Sequence, residues 1–284
     1  MTADPYPSHR SPLSEPPGKY VAALSPQLHR IKAFEDNYLW MLQNPGASDC
    51  WLVDPGDAQV LIEAAELRSL QIVGILLTHH HADHQGGVED LIQWAQGKGQ
   101  SLRIFGPRDE RIHPAAEPLD HDAIVDLGFS HARVIAVPGH TRSHIAYYFQ
   151  DLDILFCGDC MFAAGCGRIF EGSPAQMLDS LIRLSSLPGN TLLCCAHEYT
   201  LANLRFARAA HPEHPAIEER FNEAQKLRQR GVPTVPSLLM HEFQTNPFLL
   251  DLVPQAMAGP LPQSLAERIE RFAALRAWKN EFRA

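Results

Sequence analysis

The sequence predicts an α/β (α+β) protein: sheets with helices packed outside them, followed by a helical C-terminal domain. Three observations carry that expectation. The chain has 284 residues and is 45% apolar, enough for a substantial core in two domains. From about Leu28 to Ala196 it runs as short apolar stretches split by Gly, Pro and Asp, with occasional helical periodicity between them. After about Glu198 the texture becomes helical.

The first 26 residues carry six prolines and no apolar block suited to a signal peptide, so residues 1–26 read as a loosely attached, flexible extension. Strands are expected at 38–43, 50–53, 72–77, 103–105, 131–137, 145–149, 154–157 and 191–196, each an apolar or β-branched run closed by turn residues. Helical spacing marks 58–68, 88–96 and 174–184. These elements define a domain over residues 27–198. In residues 199–284, Ile217, Phe221, Ala224 and Leu227 share one helix face. Pro215 suits the first turn of that helix and Gly231 its stop. Ser264-x-x-Glu267 is a capping box opening a last helix with Ile269, Phe272 and Leu275 inward.

No stretch approaches the roughly 20 apolar residues of a membrane span. The net charge of -9 disfavours a nucleic-acid surface, where clustered cations neutralise phosphates. Six cysteines in a chain without an export signal point to a reducing, cytoplasmic setting. Cys157-Gly-Asp-Cys160 fits C-x-x-C in form, but no helix start follows its first cysteine. Cys194 and Cys195 read as buried small hydrophobes.

The chemistry concentrates where apolar runs end. Ile75-Leu76-Leu77 leads to His79, His81, Asp83 and His84; the run 134–137 leads to His140, the run 154–157 to Asp159, and the run 192–195 to His197. Strand ends are rigid supports, and sites are built on the loops beyond them. A lone histidine there is usually structural, and His121, His131, His211 and His214 are read so. In an extended segment residues two apart point the same way, so His79 and His81 can share an ion while His80 points elsewhere. Asp83 and His84, at the turn towards a helix, can face a second ion. Five histidines and two aspartates exceed what one tetrahedral zinc needs, and a carboxylate is the natural bridge between two cations. Spacing does not say which carboxylate bridges.

THHHADHQGG, PGHT, the aspartate of CGDCMF and the histidine of AHEYT together resemble the metallo-β-lactamase superfamily. FEDNYLW, LVDPG, FAAGCGRIFEG, HEYTLANLRFA, TVPS and NPF narrow the resemblance to the glyoxalase II, or hydroxyacylglutathione hydrolase, family over about residues 34–282. The resemblance implies an αββα four-layer sandwich followed by a helical glutathione-binding domain. It assigns one metal to His79, His81 and His140, a second to Asp83, His84 and His197, and the bridge to Asp159. His80 and His144 are not ligands in that scheme. The implied cofactors are two divalent cations per chain. Zinc is expected, with iron or manganese able to take the same donors.

The implied reaction is hydrolysis of S-D-lactoylglutathione to D-lactate and glutathione by a metal-bridging hydroxide, the second step of methylglyoxal detoxification. A thiolate leaving group of pKa about 8.5 needs little help from an acid, which suits a sequence without an obvious general acid. Asp83 and Asp159 are the catalytic carboxylates that the resemblance implies. Arg168, Ile169, Phe170, His197 and Tyr199 are the implied substrate contacts, with Arg276 and Lys279 on the last helix for the glutathione carboxylate. From pattern alone that pair is an exposed cationic face; the resemblance reverses the reading. Phe170 stands where relatives often carry a tyrosine, and Ala196 where a glycine usually precedes HEYT. A monomer acting on a small molecule is expected. The rival readings are a mononuclear-iron persulfide dioxygenase using His79, His140 and Asp159, and a non-catalytic glutathione-binding protein.

Overall fold

The computed structural model describes residues 18–25, 27–250, 252–253, 256 and 264–283. Two mixed sheets face each other. The first contains β1 (Leu28–Ala33), β2 (Asn37–Gln43), β3 (Asp49–Val53), β4 (Gln71–Leu76), β5 (Arg103–Pro107) and β6 (Glu117–Leu119), in that spatial order. β1, β2 and β3 are antiparallel; β3 to β6 are parallel, with α1 (Ala58–Leu67), α2 (Ala82–Gln85) and α3 (Val88–Gly97) in the crossovers. The second sheet uses β7 (Ile124–Asp126), β8 (His131–Ala136), β9 (Ile145–Phe149), β10 (Ile154–Gly158), β13 (Leu192–Cys195) and β14 (Ser237–Leu238). Between β10 and β13 lie a small hairpin, β11 (Met161–Phe162) and β12 (Gly165–Cys166), and α4 (Pro174–Ser185).

Strand alternation explains the layers. Tyr38, Trp40 and Leu42 of β2 pack with Trp51 and Val53 of β3 against Val134, Tyr147, Phe149 and Phe156 of the facing sheet. Their neighbours Leu39, Met41 and Leu52 turn outward to Leu61, Ala65, Val88 and Leu91 on α1 and α3. Met177, Leu178, Leu181 and Leu184 of α4 join the core of the second sheet. The architecture is the αββα sandwich. α4 begins with a reciprocal Ser173–Gln176 capping box and Pro174 in its first turn, so its start is set locally.

The remaining helices are α5 (Thr200–Ala210), α6 (Pro215–Gln229), α7 (Leu239–Thr245) and α8 (Leu265–Glu281). α6 begins at Pro215 and is followed by Gly231 at φ +72°; α8 opens with the Ser264–Glu267 box. Leu204, Ala207, Ile217, Phe221 and Ala224 form a smaller core between α5 and α6.

The reading of residues 1–26 as a loose extension needs correction at its end. Tyr20 and Val21 are buried, the Tyr20 amide donates to Glu223 at 2.8 Å, and the Ala22 amide donates to the Pro236 carbonyl at 2.9 Å. An aromatic side chain supplied a docking point that proline content concealed. Residues 1–17 and 26 lie outside the described residues.

Candidate metal centre

The ends of four strands converge, and each delivers a donor. β4 runs out to His79 and His81, β8 to His140, β10 to Asp159 and β13 to His197, while Asp83 and His84 sit on the single turn of α2. His79, His81 and His140 form one cluster whose donor atoms all lie within 4.8 Å of one another; Asp83, His84 and His197 form another. A third such grouping, Asp54 with His79 and His84, shares members of both.

The separations have a common scale. His81 Nδ1 lies 3.1 Å from both His79 Nε2 and His140 Nε2, and it cannot donate to both. In the second cluster, Asp83 Oδ2 is 3.5 Å from His84 Nε2 and 3.4 Å from His197 Nε2. Donors bound tetrahedrally at 2.0–2.1 Å are about 3.3–3.4 Å apart, so these are the edges expected around a cation. Asp159 lies between the clusters. Its Oδ2 is 3.4 Å from His140 Nε2, and its Oδ1 is 3.4 Å from both His84 Nε2 and His197 Nε2. His84 Nε2 and Asp159 Oδ1 are buried with no hydrogen-bond partner, a costly condition that a cation relieves. The donor set and its unmet atoms fit divalent metal binding.

The opposite ring nitrogens of His79, His84, His140 and His197 are engaged, which fixes where their lone pairs point. His84 Nδ1 donates to Asp54 at 2.9 Å, His197 Nδ1 to Asp36 at 2.9 Å, and His140 Nδ1 to the Arg168 carbonyl at 2.7 Å. The Thr78 hydroxyl donates to Asp54 at 2.7 Å, so its oxygen accepts from His79 Nδ1 at 3.0 Å. Asn37 donates to Asp83 at 3.0 Å. β2 reaches this point because its first residue bridges to His197, joining the two sheets.

Charge separates the clusters. Burial, then the neighbouring imidazoles, hold His79 well below the ordinary histidine range; the same causes bring His81 down to about 4. In the other cluster burial opposes charge on His84 and His197 but loses to the carboxylates. Asp159 and Asp54 raise His84, while Asp159, Asp83 and Asp36 push His197 up to about 11. Burial likewise opposes the charges on Asp83 and Asp159, but the surrounding histidines hold both well below the usual carboxylate range. Without an ion, protons on His84 and His197 balance the acids, and a bound cation takes their place.

The other expected residues distribute unevenly. Phe170 is exposed, its ring 5.2 Å from that of His140 and 5.8 Å from that of His81, with the Arg168 guanidinium 5.4 Å above it. Ile169 is partly buried against the core, and Tyr199 stacks on His197 at 4.7 Å and 3°. Arg276 departs from the exposed-face reading. It is 7% exposed, and its guanidinium donates to the Cys166 carbonyl at 2.9 Å because α8 turns that side inward. Lys279 donates to the Ala202 carbonyl at 3.1 Å. His80 points out of the centre, its Nε2 3.4 Å from Glu171. Sequence reasoning gave no role to Asp36, Asn37, Asp54 or Thr78. The signal was FEDNYLW and LVDPG, where acids stand beside strand ends.

A family model described as the metallo-beta-lactamase superfamily matches residues 37–197, and one described as the hydroxyacylglutathione hydrolase C-terminus matches residues 198–282. A hydroxyacylglutathione hydrolase of Xanthomonas campestris pv. campestris (strain B100) is 46% identical over 263 residues, covering 91% of this chain and 100% of that protein. The chain belongs to the hydroxyacylglutathione hydrolase family. Another member, from Shewanella baltica (strain OS155 / ATCC BAA-1091), is 44% identical over 263 residues, with 89% of this chain and 98% of that protein covered. Among solved structures, ETHE1 from Myxococcus xanthus aligns at a TM-score of 0.61 and 21% identity over 86% of this chain and 89% of that one. A metallo-beta-lactamase from Staphylococcus aureus aligns at 0.56 and 20% over 90% and 72%. These two show the fold that the family shares.

Proposed function

We propose that the protein hydrolyses S-D-lactoylglutathione to D-lactate and glutathione with two divalent cations, zinc by expectation. His79, His81 and His140 would hold one, Asp83, His84 and His197 the other. The observation that carries this reading is Asp159, whose two carboxylate oxygens each face a different cluster at 3.4 Å. When bound, the cations lower the pKa of water from 15.7 to around 7 and polarise a carbonyl oxygen.

The chain's own residues do the rest. The Asp83 side chain is 40% exposed against 10% for Asp159, so Asp83 is the carboxylate that meets substrate and orients the nucleophile. Phe170 and Tyr199 wall the two sides, with Arg168 above Phe170. Ile169 lies between Arg168 and Phe170 on the same substrate loop. Lys279 offers a positive charge to the glutathione end, and Arg276 supports that loop from beneath. The named relatives and the full donor set favour this reading over a mononuclear-iron dioxygenase, which has no use for Asp83, His84 and His197 together. A non-catalytic glutathione-binding protein would need no such centre at all.

Net charge disfavours nucleic acid as a partner, and six buried free cysteines suit a reducing cytoplasm. Among the described residues no helix is long and apolar enough to cross a membrane. A monomer is the simplest active unit. The test is an assay of purified protein with S-D-lactoylglutathione alongside metal quantification. Turnover with two ions per chain is expected; two ions without turnover, or one iron with oxygen consumption, refutes the reading.

A further inference from the structure

We propose that His144, which offers no donor to either cluster, is the positioning residue that sets Asp159 between them. The proposal rests on Asp159 being shared by two cations. The His144 ring is 1% exposed, and its two nitrogens have unambiguous tasks. The Ile145 carbonyl, 3.0 Å from Nδ1, can only accept, so the proton sits on Nδ1. Nε2 then carries the lone pair and accepts the backbone N–H of Asp159 at 3.1 Å. That amide is the first peptide beyond β10, and its direction sets the point from which both carboxylate oxygens spread.

The ring is itself held rigidly. One face stacks on His79 with centroids 4.6 Å apart and planes at 17°. The amide of Ile145 donates to Thr78 at 3.0 Å, and the amide of Val137 donates to the His144 carbonyl at 2.8 Å. Gly158, at φ +48°, lies so close that a Cβ would come 2.9 Å from the His144 ring and 2.4 Å from Thr78 Oγ1. The glycine of CGDC therefore lets β10 end against the imidazole, and the next residue is delivered already aimed. Ligand constellations must be held to about 0.5 Å by such supports.

The test compares His144→Phe, which keeps ring shape but removes the acceptor, with His144→Gln, whose amide oxygen reaches the Nε2 position. Both are checked for folding by circular dichroism, loaded with zinc, dialysed against a weak chelator and analysed for zinc content. The unsubstituted protein is expected to keep two ions. His144→Phe should keep one, with the other bound about 10- to 100-fold more weakly, and lose kcat over the same range with KM within about twofold. His144→Gln should restore the second ion and most of kcat. A His144→Phe protein with two ions and full kcat overturns the proposal, as does a His144→Gln protein equally impaired. If His144→Phe does not fold, His144→Gln decides alone: two tightly held ions support the proposal, loss of one overturns it. One ion in the unsubstituted protein refutes the dinuclear reading itself, and the proposal falls with it.

Discussion

Replacing Asp54 tests whether the centre depends on fixed imidazole tautomers. Its carboxylate accepts the Thr78 amide and hydroxyl, each at 2.7 Å, and His84 Nδ1–H at 2.9 Å. Asp54→Asn keeps the shape but turns one acceptor into a donor. Set one way the amide nitrogen opposes the Thr78 N–H; set the other way it opposes His84. The second choice drives the His84 proton onto Nε2, the atom that faces the ion. Hydrogen bonds to a charged group contribute about 1.5–3 kcal/mol each, so the metal-free variant should lose about 2–4 kcal/mol, read by urea unfolding. Loss of an orienting partner costs about 10- to 100-fold in metal affinity. A chelator-competition titration should therefore show one ion bound as in the unsubstituted protein and one weakened. Asp36→Asn, acting on His197, should be milder, because the Asp36 side chain is 41% exposed against 4% for Asp54 and water can replace it. A destabilised Asp54→Asn protein with both affinities unchanged would refute the tautomer argument.

Phe170→Tyr restores a donor beside His140 and should lower KM by about 2- to 13-fold, the equivalent of 0.5–1.5 kcal/mol; an unchanged KM makes the position irrelevant to affinity. Lys279 is brought down to about 8 by burial and then by Arg276, so its cation is lost as pH rises through about 8 and KM for the anionic thioester should climb there; a Lys279→Met protein should lack that rise. For stability the sign is opposite. Between about pH 8 and the unfolded value near 10.5 only the unfolded chain holds the Lys279 proton, so this group makes stability increase with pH in that window. Arg220→Met leaves the fully buried Glu242 without its 2.7 Å partner and should cost about 3–5 kcal/mol in urea unfolding; a loss below about 1 kcal/mol would show that the pair is not needed.

The strands of the two inner sheet faces were legible because both sides are buried and their runs are apolar. β9 at Ile145–Phe149 has all five residues inside. β1 was harder to place: Leu28, Ile31 and Ala33 alternate with His29, Arg30 and Lys32 at a sheet edge, and charged residues blur the period. β6, β7 and β14 are two or three residues long, too short for any periodicity. The candidate ligands were legible because each follows an apolar run, and the pleat argument separated His80 from its neighbours. Which carboxylate lies between the two clusters was not legible from spacing: it brings Asp83 and Asp159 equally near, and only their burial and the directions of their oxygens distinguish them. The pattern-alone reading of Arg276 as an exposed cation fails for a related reason. A cation near the end of an amphipathic helix is normally solvated, and nothing in its spacing announces a backbone carbonyl waiting inside.

That carbonyl belongs to a pattern which makes the helical region part of the site rather than an attachment to it. In the hairpin that precedes Arg168, Phe162 and Gly165 give their carbonyls to Asn246 at 3.3 and 2.9 Å, Ala163 to Asn203 at 3.1 Å, and Cys166 to Arg276 at 2.9 Å. The Ala164 amide, at φ +56°, donates to Glu242 at 2.7 Å. The side chains come from α5, from α7 and its cap, and from α8, so distant segments hold five consecutive residues. Two links then lead to the centre: Gly167 donates to Cys160 at 3.1 Å, and Arg168 accepts from His140 at 2.7 Å. A chain ending at residue 198 would lose those partners, each hydrogen bond contributing about 0.5–1.5 kcal/mol net, and the residue orienting His140 would lose its support. The helices thus hold residues 162–166, and through them the partner of His140, whatever else they bind.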